Sequence, residues 1–123
     1  MGGAGPEPVS VVIYHNPRCS KSRQTLALLE EKGVAPKIVD YLKTPPSADE
    51  LQAILAKLGL KPREILRTGE PAYRELGLDD PSLGDAALLA AMAAHPILIE
   101  RPIVVAGQKA AIGRPPENVL NIL

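Results

Sequence analysis

The sequence of 123 residues has few aromatic residues and a single cysteine. Phenylalanine and tryptophan are absent, and aromatic residues make up 2% of the chain. The core must therefore be aliphatic, and few side chains can stack on the bases of single-stranded nucleic acid. One cysteine, Cys19, cannot form an internal disulfide or supply a cysteine-rich zinc site. A two-electron oxidation that converts Cys19 to a disulfide must therefore use a thiol from another molecule.

Other absences narrow the function further. Fourteen basic residues balance fourteen acidic ones, so no global basic excess favours a nucleic-acid partner. No apolar run approaches the roughly 18 residues that a membrane span needs, so no membrane partner is expected. No cluster of His, Cys, Asp and Glu has metal-ligand spacing, which predicts no metal. Residues 1–8 lack the pattern of a secretory signal, so we interpret them as a flexible lead-in and predict a cytoplasmic protein.

The first third of the chain has the pattern strand, helix, strand. The β-branched run Val9–Tyr14 predicts a strand, and Ser20–Lys32 predicts a helix that ends at Gly33. Lys37–Leu42 predicts a second strand. A helical crossover of this kind joins parallel strands, so we expect the two strands to be parallel neighbours.

The remainder has a helical block followed by a hairpin. Helical spacing of apolar residues predicts helices from Ser47 to Ala94, among them a short one at 62–66. Two short strands, 103–106 and 109–112, are separated by a two-residue turn signal. Because the helical block separates two halves of one sheet, we interpret it as an insertion, about 47–94, in a single α/β domain over residues 9–123.

Cys19 lies where the first strand gives way to the first helix. A helix N-terminus offers free backbone N–H groups and the positive end of the helix dipole, and both favour a thiolate. Ser22, one turn further on, is placed to hydrogen-bond the sulfur. Positive or potentially positive side chains surround the cysteine in sequence: His15, Arg18, Lys21 and Arg23. We therefore predict a Cys19 pKa below the ordinary value of about 8.5.

Other interpretations of this loop compete with a reactive thiol. A lone cysteine is more often a small buried hydrophobic residue, although polar and cationic neighbours argue against an apolar setting here. A phosphatase-type anion loop needs an arginine six residues after the cysteine, and that position is Thr25. A Cys-x-x-Cys pair needs a second cysteine where Ser22 stands, and a glycine-rich nucleotide loop is absent.

The loop and four later stretches resemble the glutaredoxin-coupled arsenate reductase family, and in particular a short subgroup of it. The similar stretches follow one another in the family's order: 15–23, 41–46, 65–67, 95–105 and 113–115. Together they extend the resemblance over nearly all of 11–123. The resemblance implies a thioredoxin-like mixed sheet with a helical insertion, in agreement with the order of elements above.

The resemblance also implies a mechanism. The Cys19 thiolate attacks arsenate, glutathione attacks the adduct, and glutaredoxin completes electron delivery as arsenite is released. The protein would then bind no cofactor, and glutathione would be a co-substrate. His15 matches a residue that helps to stabilise the thiolate, and Ser22 matches its hydrogen-bond partner. Pro102 matches the proline that is cis beside the active site of thioredoxin-like folds.

Three arginines hold the oxyanion in that family, and Arg67, Arg101 and Arg114 occupy the matching positions. Planar guanidinium groups suit such an anion because they bind it through two parallel hydrogen bonds. Each of these arginines could instead be a solvated surface charge. This alternative is weakest for Arg101, which directly precedes Pro102 and a strand, and stronger for Arg67, which is expected on a short helix.

Two other functions stay open from the sequence. One is a monothiol reductase that acts on another oxidised substrate. The other is a redox-sensing transcriptional regulator that binds RNA polymerase, like one branch of the resembling family. That branch typically switches through Cys-x-x-Cys, which Ser22 removes, so an enzyme is favoured. An inert binding module is disfavoured because Cys19 has so reactive a setting.

Overall fold

The computed structural model of the protein describes residues 10–123. The expected lead-in, 1–8, and Val9 lie outside the described residues. The helices and strands, in chain order, are β1 (Val11–His15), α1 (Ser20–Glu31), β2 (Lys37–Asp40), α2 (Ala48–Leu58), α3 (Pro71–Glu75), α4 (Asp85–Ala94), β3 (Ile103–Ala106) and β4 (Lys109–Ile112). Short 3₁₀ helices span Pro62–Ile65, Pro96–Leu98 and Pro116–Ile122.

The four strands form one mixed sheet in the order β2-β1-β3-β4. β1 is parallel to β2, and β3 is antiparallel to both β1 and β4. The parallel pair confirms the expected β-α-β crossover, and the antiparallel pair β3–β4 confirms the hairpin. The α/β, thioredoxin-like class is therefore confirmed, and helices α2 to α4 lie in the chain between β2 and β3.

Each face of the sheet has its own aliphatic core. On one face Ile13 and Val104 pack with Leu29 of α1 and Val119 of the last 3₁₀ helix, all at 0% exposure. The other face buries a larger cluster from β2's exit, α2, α4 and β3. Neighbouring residues of a strand face opposite sides, so β1 contributes Ile13 to the first cluster and Tyr14 to the second.

Local signals mark where helices α1 and α2 begin or end. Gly33 and Gly59 have φ values of +81° and +69°, the left-handed region in which glycine is favoured. Ser47 caps α2, where its Oγ accepts a hydrogen bond from the backbone N–H of Glu50 at 3.1 Å. Because these interactions are local in sequence, they were predictable from it.

Two boundaries near the site differ from the expectation. The second strand ends at Asp40, not Leu42, because the Asp40 carbonyl accepts hydrogen bonds from the N–H groups of Lys43 and Thr44 in a turn. The short helix ends at Ile65, and Leu66 then forms an isolated bridge with Ile99. Arg67 consequently lies after that bridge, not on a helix. The Arg101–Pro102 peptide bond is cis, as the resemblance implied, and so is Arg114–Pro115.

Candidate active site

Cys19 is the N-cap residue of α1, directly after the loop that leaves β1. Its extended backbone, with φ −92° and ψ 123°, starts the helix, and its carbonyl accepts a hydrogen bond from the Arg23 N–H at 3.0 Å. The residue is 9% exposed, yet it belongs to neither aliphatic cluster. Cys19 is thus more enclosed than its polar neighbours in sequence indicate, but it is not part of an apolar core.

The pKa of Cys19 lies below its ordinary value, as predicted. Burial opposes this, because it raises the pKa of the thiol. Burial is outweighed by the backbone N–H groups of Ser22 and Lys21 and by the positive charges of Arg101 and Arg114. The N-terminus of α1 therefore favours the thiolate, as expected.

The source of the positive charge was predicted wrongly. The sequence predicts that side chains next to Cys19 lower its pKa. The guanidinium groups that lower it instead belong to Arg101, which precedes β3, and Arg114, which follows β4. Arg23 instead donates to the Pro17 carbonyl at 2.9 Å, which directs its charge along the loop. Burial also lowers the pKa of His15 below its ordinary value, so at neutral pH the ring carries little positive charge.

The Ser22 side chain has a different partner from the expected one. Its Oγ lies 2.7 Å from His15 Nδ1 and accepts a hydrogen bond from the Asn16 N–H at 3.0 Å. Ser22 is fully buried, and its backbone N–H, not its hydroxyl, is the group that lowers the pKa of Cys19. His15 and Ser22 therefore fix the shape of the loop that presents the thiol.

The structure brings Arg67, Arg101 and Arg114 together. All three line one open, polar cleft of about 320 Å³. Arg114 joins this cleft to the thiol, because its Nη2 lies 3.7 Å from Cys19 Sγ in hydrogen-bonding geometry. Arg101 is well covered, with a side chain 15% exposed. The arginines that the resemblance matched, from three separate segments, thus share one cleft, and Arg114 joins that cleft to Cys19.

Two of the three arginines are also held by the protein itself. Arg67 donates to the Ile97 carbonyl at 3.2 Å and pairs with Glu70 at 2.8 Å. Arg114 Nε donates to the Arg101 carbonyl at 2.8 Å. These contacts limit the freedom of long side chains, so less conformational entropy is lost when an anion binds.

Sequence reasoning missed two residues of this region. Glu100 lines the cleft, and its Oε1 lies 3.0 Å from Arg114 Nε. Tyr41, 1% exposed, has a hydroxyl without a hydrogen-bond partner among residues 10–123. Burial raises the pKa of Tyr41, while the charges of Arg101 and Arg67 oppose that shift. Glu100 stands beside Arg101 in sequence, and this adjacency was the one available signal.

Within residues 10–123, no three or more His, Cys, Asp and Glu side chains are grouped so that they could hold a metal ion. None of the helices in that part of the chain has both the length and the apolar character to cross a bilayer. The described residues thus offer one chemically distinctive site. It combines a thiol of lowered pKa at a helix N-terminus with a cluster of guanidinium groups, an arrangement suited to a small anion.

The fold and site therefore define a thioredoxin-like protein with one activated thiol and an arginine-lined cleft. Residues 14–122 match the model of the ArsC family, and the chain belongs to that family. It is similar to an arsenate reductase of Neisseria meningitidis serogroup A, with 55% identity over 114 residues that cover 92% of this chain and 97% of the relative.

Two further relatives extend this comparison. An uncharacterised protein of Escherichia coli K12, YfgD, is 57% identical over 114 residues, which cover 92% of this chain and 96% of its own. The structure of an arsenate reductase from Vibrio cholerae superposes with a TM-score of 0.92 at 58% identity, covering 95% of this chain and all of that one. The likeness in fold therefore extends over almost the whole chain.

Proposed function

We propose that the protein reduces arsenate to arsenite, with Cys19 as the nucleophile and Arg67, Arg101 and Arg114 as the oxyanion-binding groups. The observation that carries this proposal is the 3.7 Å contact between Arg114 Nη2 and Cys19 Sγ. In this contact a cationic donor of the arginine-lined cleft lies against the sulfur that would attack arsenate. An arsenate oxygen bound by that donor would hold arsenic within reach of the sulfur.

The first step forms an S–As bond between the Cys19 thiolate and arsenate, and one arsenate oxygen leaves as water. Negative charge concentrates on the remaining oxygens during this attack. Preorganised donors stabilise such charge in the transition state, and guanidinium groups do so through paired hydrogen bonds. Removing one such donor typically costs about 10²- to 10³-fold in rate.

The second step needs an external thiol, because Cys19 is the chain's one cysteine. A glutathione thiolate attacks the Cys19 sulfur, arsenic takes up the electron pair of the breaking S–As bond, and arsenite departs. This leaves Cys19 and glutathione joined as a mixed disulfide. Thiol–disulfide exchange with glutaredoxin then returns Cys19 to its thiol form. Glutathione as co-substrate, glutaredoxin as partner and the cytoplasm as location belong to this proposal.

A monothiol reductase of another oxidised substrate is the second candidate. It rests on the same activated thiol, whose lowered pKa suits attack on an oxidised substrate other than arsenate as well. A regulator that binds RNA polymerase is disfavoured, since Ser22 stands where a Cys-x-x-Cys switch needs its second sulfur. Three arginines arranged around an open cleft also suit a small anion better than a protein surface.

The test is arsenite formation from arsenate in the presence of glutathione, glutaredoxin and NADPH, with glutathione reductase to couple the cycle. The wild type should turn over, and Cys19→Ser should not. Leaving out glutathione and glutaredoxin in turn identifies the resolving thiol. Folded wild-type protein that produces no arsenite with any thiol present would remove arsenate as the substrate and leave the second candidate.

A further inference from the structure

The cleft that holds the three arginines also holds a carboxylate. Oε1 of Glu100 lies 3.0 Å from Arg114 Nε and 3.6 Å from Arg101 Nη1. The same oxygen accepts a hydrogen bond from the backbone N–H of Arg101 at 3.2 Å. It therefore occupies donors of two guanidinium groups that an incoming anion would need.

The charges of the cleft are consequently almost balanced. Arg67 pairs with Glu70 at 2.8 Å, and Arg114 pairs with Glu100 at 3.0 Å. Arg101 has the looser contact of 3.6 Å, and its buried Nε has no hydrogen-bond partner among residues 10–123. A bound anion thus finds one guanidinium largely free and two already engaged by carboxylates.

The backbone holds Glu100 in this position. Its N–H donates to the Ile65 carbonyl at 2.8 Å, next to the bridge that joins Leu66 to Ile99. Its side chain is 30% exposed, so solvent screens the charge only in part. An oxyanion that enters the cleft therefore meets a negative charge that cannot move far away.

We propose that Glu100 is a specificity-determining residue that weakens the binding of doubly charged oxyanions and so favours singly charged ones. The inference rests on the oxyanion-binding function proposed above. At a given distance, a carboxylate repels a dianion about twice as strongly as a monoanion. By pairing with Nε of Arg114, Glu100 also leaves the Nη2 of that residue directed at Cys19 Sγ.

A purely structural ion pair is the alternative, and Glu100→Gln separates the two. Glutamine keeps the size and shape of the side chain while the negative charge is lost. Arg114 Nε keeps its hydrogen bond to the Arg101 carbonyl, so the guanidinium keeps its orientation. The matched control is Glu31→Gln, which makes the same change at the last residue of α1. Twelve helical residues place that position roughly 18 Å from Cys19 along the helix axis.

The measurement is the dissociation constant of arsenate, taken from how its concentration protects Cys19 against iodoacetamide. This readout needs no turnover, no glutathione and no glutaredoxin. It is made at two pH values, below and above the ionisation that converts the arsenate monoanion to the dianion. We expect Glu100→Gln to bind arsenate about three- to tenfold more tightly at the higher pH, with a smaller gain at the lower pH. Glu31→Gln should match the wild type.

Two results would overturn the inference in different ways. If arsenate protects the wild type but Glu100→Gln binds it no more tightly at the higher pH, the residue is a structural ion pair and the proposed function stands. If arsenate protects neither protein at any concentration, the oxyanion-binding function itself is wrong, and the specificity role falls with it.

Discussion

The thiol loop and the arginine cleft meet at Cys19, but the protein builds them in different ways. The loop, 15–22, is one short segment whose hydrogen bonds join near neighbours in sequence. The cleft takes one arginine from each of three segments that are far apart in the chain. Nucleophile geometry is therefore local, whereas the charge that favours the thiolate depends on the completed fold. Changes in the two regions should have separable effects.

Loss of a cleft arginine should have the largest effect on catalysis. Arg101→Ala removes a guanidinium that both lowers the pKa of Cys19 and faces the anion cleft. We expect kcat/KM for arsenate to fall by about 10²- to 10³-fold. Arg101→Lys, which keeps the charge but loses the planar donor pair, should be intermediate.

The control for these variants is Arg74→Ala, an exposed arginine of α3 outside the cleft. It should behave as wild type. If Arg101→Ala and Arg114→Ala both kept wild-type kinetics in the glutathione-coupled assay, the cleft would have no part in catalysis.

The junction between the two regions should be sensitive to added volume. A Cβ at Gly113 would lie 2.5 Å from Thr25 Oγ1 of α1 and 2.8 Å from Pro102 Cγ. Gly113→Ala should therefore lower the free energy of unfolding by about 1–3 kcal/mol, because the neighbours must move. Urea denaturation followed by circular dichroism measures this loss, and Gly69→Ala, with open space around its Cβ, is the control. Equal stability of the two variants would contradict the packing described here.

The loop hydroxyl should matter for stability more than for the thiol. Ser22→Ala deprives Asn16 N–H and His15 Nδ1 of their buried partner, so we expect a loss of about 1–3 kcal/mol in the free energy of unfolding. The backbone N–H of residue 22, which lowers the pKa of Cys19, is unchanged, so that pKa should change little. A large rise in that pKa would show that the hydroxyl bonds the sulfur after all. Thermal unfolding and thiol alkylation measure the two quantities in the same samples.

The smallest effect is expected from cations next to the cysteine in sequence. Arg18 is exposed, and Arg23 is directed at the Pro17 carbonyl. Exposed charges are screened by solvent and salt, so Arg18→Ala and Arg23→Ala should change the alkylation rate of Cys19 at pH 7 by no more than about twofold. A tenfold fall in the alkylation rate of either variant would show that the loop side chains supply the positive charge that favours the thiolate.

The difference between the regions also explains what the sequence could predict. The β1–α1–β2 crossover, the glycine stop at Gly33 and the place of Cys19 at a helix start depend on local patterns, and they were predicted correctly. The lowered pKa of His15 and the true partner of the Ser22 hydroxyl depend on burial, which appears only when the sheet and helix pack. Tyr41 joins the site through residues distant in sequence, and for Glu100 its place beside Arg101 was the one signal that the sequence offered.

The position of Arg67 illustrates the same limit. Its segment has the pattern of a short helix, and the structure indeed has a 3₁₀ helix at Pro62–Ile65. Arg67 itself is held by a hydrogen bond from its N–H to the carbonyl of Leu98 at 2.8 Å, and Leu98 belongs to the 3₁₀ helix Pro96–Leu98. The resemblance matched Arg67 to a residue that holds the oxyanion. The contact that positions Arg67 joins residues far apart in the chain, so no local sequence pattern could predict it.

The most direct test of the central claim is the pH dependence of Cys19 alkylation in the wild type and in Arg101→Ala, with Arg18→Ala as the control. Because the thiolate is the reactive form, the rate rises with pH through a midpoint that reports the pKa of Cys19. We predict a midpoint below the ordinary thiol value of about 8.5 in the wild type and in Arg18→Ala, and a higher midpoint in Arg101→Ala. The same midpoint in the wild type and Arg101→Ala, with a higher one in Arg18→Ala, would contradict the account.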